Sequence, residues 1–259
     1  KLTQALGDAF FVARYSVKDT LNLFDLTYVD VILSLGLELF RAATARKVKV
    51  KQEVLEHIRA FTKEITEEVE TSEGVRPEIG VEVNLLVTKL SGKLGAEDVT
   101  RKTVREKVSH RLSELLERVD FLVREVERLT KRRVLVIVED LDKTDLGTAR
   151  KLFYEYGSSL LAPPVSIIYT FPTALRHDNV FMQVEMYFPT VCILPNLKTR
   201  HWDGAPDEDG LQELGSILTR RVNENLFGGD AVRTLAELSS GIPRELVALA
   251  RRASLEAIK

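Results

Sequence analysis

The chain has one cysteine, Cys192, among its 259 residues, so no internal disulfide can staple it and its fold must rest on apolar burial. A lone thiol fits a reducing compartment. Its neighbours Val191, Ile193 and Leu194 are apolar, which predicts a buried structural cysteine rather than a reactive one. Long apolar runs are missing too. None approaches the ~18–20 residues that cross a bilayer, and no signal peptide is legible, so the chain reads as cytoplasmic and without a membrane partner. The four histidines, His57, His110, His177 and His201, are scattered without ligand spacing, which leaves no zinc site to propose. Neither sign of charge is in excess, with 37 Lys and Arg against 39 Asp and Glu. A net charge of −2 gives nucleic acid no global electrostatic support as a partner; only a local basic patch could attract it.

What is there is the composition of a globular protein with a sizeable core, 44% apolar and 29% charged, enough for one large or two modest domains. Residues 1–7 (KLTQALG) read as the last turns of a helix closed by Gly7, and with no initiator Met the chain reads as a fragment or processed product. Residues 9–17 (AFFVARYSV) read as a strand, and 27–46 and 50–69 as helices, the second amphipathic with an acidic far end. Residues 71–80 carry the Gly, Pro and Ser of an exposed loop. Residues 81–97 alternate and then break at Gly92 and Gly95, which suggests a short strand pair or an irregular insertion.

Residues 104–129 hold the strongest periodicity, with Val104, Val108, Leu112, Leu115, Val119, Leu122, Val126 and Leu129 spaced 4-4-3-4-3-4-3. That seam suits either a coiled-coil partner or a long helix laid on its own domain. Further on, residues 148–161 read as a helix, and 165–170 (VSIIYT) and 188–194 as strands. The last, flanked by Pro189 and Pro195, suits a sheet edge. Three helical patterns follow residue 210. The boundary falls near 196–210, separating an α/β core (1–200, with a helical insertion at about 46–130) from a helical unit (201–259).

The chemistry concentrates in residues 133–143 (RVLVIVEDLDK). Five consecutive branched aliphatics, Val134 to Val138, suit a strand covered on both faces in a parallel sheet, and Glu139 and Asp140 then stand at its carboxyl end, where such sheets bind ligands. Two carboxylates there need a cation or a hydrogen-bond network. A hydrated Mg²⁺ carrying nucleotide phosphates would serve, because it takes only one or two protein carboxylates. Taken alone, an apolar strand ending in acid also suits response regulators, dinucleotide binders and metal nucleases.

VLVIVEDLDK resembles the Walker B segment of AAA+ and STAND-type ATPases. VSIIYT, about thirty residues on, resembles their sensor-1 strand, and Gly241-Ile242-Pro243-Arg244 resembles the G-x-P-R start of the sensor-2 helix in their helical lid. Residues 6–19 are similar to the segment from the phosphate-loop helix into the second strand. The resemblance implies a P-loop-type parallel sheet with a helical insertion and a small helical lid, using ATP and Mg²⁺ to drive conformational change or assembly. It implies that Glu139 holds the metal shell, Asp140 acts on the attacking water, Thr170 senses the γ-phosphate and Arg244 clamps the phosphates from the lid. Two features depart from the pattern. No G-x-x-x-x-G-K-[ST] phosphate loop occurs in these residues, so the chain as given is expected to be inactive, with that loop expected just upstream of Lys1. Glu139 also stands where the family has Asp. Arg150 and Arg176 are candidates to reach a neighbouring subunit's phosphates. The rival readings are a non-catalytic scaffold that meets a protein partner or a second copy through the insertion, and a metal nuclease or phosphotransferase using Glu139, Asp140 and Asp142, with Asp19 the one further acid at a strand end.

Overall fold

The computed structural model describes residues 6–19, 21–72, 83–95 and 98–257, and the chain divides into two compact units, Lys1–Thr190 and Val191–Lys259. The expected helix end before Gly7 and the loop at 71–80 fall mostly outside the described residues. In the first unit, β1 (Phe10–Ser16), β2 (Arg133–Glu139) and β3 (Ser166–Tyr169) form a parallel sheet in the order β1-β2-β3. The fold is therefore α/β. Every residue from Val134 to Val138 is buried, as an unbroken aliphatic run requires, and each such side chain contributes about 1.5–3 kcal/mol by leaving water. Val12, Leu135 and Ile137 form one apolar cluster, packed with Leu6 and Phe10.

Helix α1 (Tyr28–Ala45) returns the chain from the carboxyl end of β1 to its start. It begins at Thr27, whose hydroxyl and backbone N–H both engage Asp30 in a capping box. Helices α2 (Gln52–Ser72), α3 (Val83–Leu94), α4 (Asp98–His110) and α5 (Leu112–Thr130) follow before the chain re-enters the sheet as β2. Asp30 is fully buried and takes the guanidinium of Arg105, which also reaches Asp25, so that α4 is clasped to the start of α1.

Four expectations change here. Residues 83–94 form helix α3, not a strand pair: Val87, Leu90 and Leu94 are all buried at helical spacing, and that period outweighed the local alternation. The periodic stretch 104–129 is two helices, because Arg111 leaves helical geometry at φ −117° and ψ 24°. Its seam continues across the break, and Val104, Val108, Leu115, Val119, Leu122 and Val126 are all buried within the unit, which takes them out of reach of an external coiled-coil partner. Residues 188–194 form no strand. The preceding helix ends at Tyr187, and the segment beyond it is irregular, since Pro189 and Pro195 deny it ladder donors. Cys192 lies in that segment and is exposed, not buried.

After β2 come α6 (Leu146–Arg150), a π turn over Lys151–Glu155, and α7 (Gly157–Leu160), so the expected helix at 148–161 is interrupted. Beyond β3 lie α8 (Thr173–Arg176) and α9 (Phe181–Tyr187). The second unit contains α10 (Glu208–Thr219), α11 (Ala231–Leu238) and α12 (Pro243–Ala257) around Leu211, Leu214, Leu218, Ala236 and Leu246. Gly241, at φ 82°, turns the chain into α12, and a Cβ there would lie 1.8 Å from the Leu197 carbonyl oxygen, so only glycine fits. No helix among the described residues is long and apolar enough to cross a membrane.

Candidate functional site at the carboxyl ends of the strands

Parallel pairing in register brings the ends of all three strands to one level. Ser16 pairs with Glu139 and Val138 with Tyr169, so Thr170 follows directly beside Glu139 and donates its N–H to the Val138 carbonyl at 3.2 Å. Glu139, Asp140, Thr170 and Ser16 are all half-buried there. The structure thus collects three of the four expected site residues at one place. Arg244 belongs to the second unit, where it is exposed in the first turn of α12, behind Pro243.

Asp140 turns away from the strand in the left-handed region, at φ 68°. One of its carboxylate oxygens accepts from the Ser16 hydroxyl at 2.5 Å, and the other is paired with the Lys143 ammonium. Those partners, Lys143 first and Ser16 second, hold its pKa below the usual carboxylate range, with partial burial opposing them. The site therefore keeps Asp140 ionised at neutral pH. Glu139 is paired with Arg14, Nε to Oε2, at 2.7 Å. With side-chain exposures of 54% and 33%, that pair is solvated and worth about 0–1 kcal/mol. Thr170 Oγ1 accepts from the Asp142 N–H at 3.4 Å, which leaves the threonine O–H available as a donor.

Ser16, Arg14 and Lys143 were absent from the sequence expectations. Lys143 was legible in principle, three residues from Asp140 in the turn after a strand. The other two depend on the register of β1 against β2, which no local pattern reveals. Asp19, the expected further acid, ends a 3-10 turn (Val17–Asp19) and is exposed. Among the described residues no group of three or more His, Cys, Asp and Glu side chains converges on a metal position, so the acid cluster expected of a nuclease is not formed there. Arg150 is committed to Asp178, Nη2 to Oδ2 at 2.6 Å, while Arg176 is exposed at the end of α8.

A divalent metal bound with nucleotide phosphates needs fewer protein ligands than such a cluster. Glu139 keeps Oε1 clear of the Arg14 pair, so one carboxylate oxygen fits Mg²⁺ in a largely phosphate and water shell. No family model, curated protein or solved structure matches the chain.

Proposed function

We propose that the chain belongs to the working part of an ATP-binding and ATP-hydrolysing module of AAA+/STAND type, coupling nucleotide state to conformational change or assembly. The observation that supports this reading best is the meeting of Ser16, Glu139, Asp140 and Thr170 at the carboxyl ends of adjacent parallel strands. Ligands of open α/β sheets bind at such ends.

In this reading Asp140 orients the attacking water and receives its proton at a carboxylate oxygen, once Ser16 or Lys143 has given that oxygen up. Thr170, whose oxygen is held by the Asp142 N–H, donates its hydroxyl proton to a γ-phosphate oxygen. Glu139 holds the metal shell through Oε1. Bound with the nucleotide, Mg²⁺ would neutralise charge on the β- and γ-phosphate oxygens. Arg244, presented by the Gly241-Ile242-Pro243 turn, is the lid residue that would contact the phosphates. A phosphate loop is required and does not occur in these 259 residues.

Calorimetric titration of Mg-ATP into a chain extended upstream of Lys1 tests the proposal, paired with turnover of the Asp140→Asn variant. The expected result is saturable binding in both proteins and a fall in hydrolysis of about 10²-fold or more in the variant. Absence of binding, or an Asp140→Asn variant as active as the parent, would sink it.

A second reading is favoured by one feature of the same site. Both oxygens of Asp140 have protein partners and Glu139 is paired with Arg14, an arrangement that also suits a self-satisfied, non-catalytic scaffold. That reading expects Asp140→Asn to leave biological activity unchanged.

A further inference from the structure

The end of the sheet opposite the carboxylates carries the opposite charge. Helix α1 descends to the start of β1 and ends at Arg46, which lies over the Phe11 ring and donates to the Val12 carbonyl at 2.7 Å. The chain then runs through Lys47, Lys49 and Lys51, all exposed. Helix α5 descends to the same end and closes on Lys131 in the left-handed region, followed by Arg132 and Arg133, again all exposed. Phe10 and Arg133 are register partners, which places both segments at the amino ends of the strands. The first run is tied to the helix that leads into the second: the Lys51 N–H donates to Glu125 Oε1, in the last two turns of α5, at 3.3 Å.

The acids of this edge serve its construction. Glu125, nearly buried, also accepts from Arg128 at 2.8 Å, and Glu127 accepts from the Val134 N–H at 2.9 Å. Asp8 and Glu53 are exposed at its margins. No salt bridge among the described residues uses Lys47, Lys49, Lys51, Lys131, Arg132 or Arg133. β2 spans seven residues from Arg133 at this edge to Glu139, about 20 Å at the usual strand rise. The chain's net charge of −2 thus conceals a segregated cationic surface.

We propose that this basic edge binds the phosphate backbone of double-stranded nucleic acid, without sequence preference. Six exposed cations outside any salt bridge among the described residues suit a polyanion. An anionic membrane is a poorer fit, because a peripheral surface of that kind inserts apolar side chains, and here Val48 and Val50 are turned half inward between the lysines. A single strand is also a poorer fit, since neither basic run contains an aromatic residue on which bases could stack.

Fluorescence anisotropy with a labelled duplex DNA of about 24 base pairs tests this, using the whole chain. Binding should weaken with salt at a slope of about −4 to −5 in log K against log concentration, for roughly five phosphates neutralised. Lys49→Glu combined with Arg132→Glu should weaken it at least tenfold, and the Gln pair at the same positions should weaken it less while keeping the circular dichroism of the parent. Asp140→Asn should bind as the parent does. The proposal is overturned by failure to bind the duplex at low salt, by binding that survives both double substitutions, or by binding to phosphatidylserine vesicles without binding to duplex.

Discussion

The Ser16 hydroxyl donates to Asp140 Oδ2 at 2.5 Å, joining the last residue of β1 to the first residue after β2. With Lys143 on the other oxygen, the carboxylate that would meet the attacking water is restrained twice. Removing one restraint separates restraint from support. Ser16→Ala is expected to raise hydrolysis severalfold in a protein that carries the phosphate loop, with ATP affinity within about twofold of the parent. A fall in turnover instead would mean that the hydroxyl positions Asp140 for the reaction.

The clasp between α4 and α1 fastens the insertion to the helix that follows β1. Asp30 is fully buried and receives Arg105 together with both donors of Thr27. Asp30→Ala would leave Arg105 without its buried partner and α1 without half its capping box, at a cost of about 3–5 kcal/mol. Urea denaturation of parent and variant measures this, and a cost under 1 kcal/mol would contradict the account.

Acid should loosen the same clasp. Partial burial raises the Asp25 pKa, but Arg105 and Arg101 outweigh it and bring the carboxyl below its ordinary value. A carboxylate with a depressed folded pKa contributes stability that is present above its unfolded pKa of ~3.9 and is lost as pH falls through the folded value. Melting temperature should therefore decline below about pH 4, and Asp25→Asn should flatten part of that decline. Identical pH profiles would exclude Asp25 as a source.

Gly241 is a local test of the second unit. Its φ of 82° strains any L side chain by about 1–2 kcal/mol, and its Cβ position lies 1.8 Å from the Leu197 oxygen. Gly241→Ala should lower the stability of this unit by more than the strain alone, about 2 kcal/mol or more, measurable as a calorimetric shift. Gly228→Ala, where a Cβ meets nothing within 4 Å, is the matched control.

Cys192 is exposed in an irregular segment. A thiol-specific reagent should therefore label one cysteine per chain in the native protein, without denaturant. Labelling that requires unfolding would return Cys192 to the buried role its apolar neighbours suggested.

Those neighbours show how local reading fails. Val191, Ile193 and Leu194 have the composition of a strand, but composition supplies no partner, and two prolines remove the donors a ladder would need. Residues 83–94 fail in the other direction. The alternation at 81–84 is four residues long, while the helical spacing of Val87, Leu90 and Leu94 puts all three in the core. The seam from Val104 to Val126 was legible as an apolar stripe, but its owner was not, because the same stripe suits a partner or the domain itself.

The sequence by itself determined β2 and the acids at its tip, since five consecutive branched aliphatics leave little alternative to a buried strand. It also determined the Gly241-Ile242-Pro243 turn into α12, which depends on residues a few positions apart. Tertiary structure alone decided that Ser16 lies beside Asp140, that Arg14 pairs with Glu139, and that the segment after α1 is tied to α5 through Lys51 and Glu125. Each of these joins positions 74 or more residues apart. Their proximity follows from the register and packing energy of the whole unit, and no short stretch of sequence carries that sum.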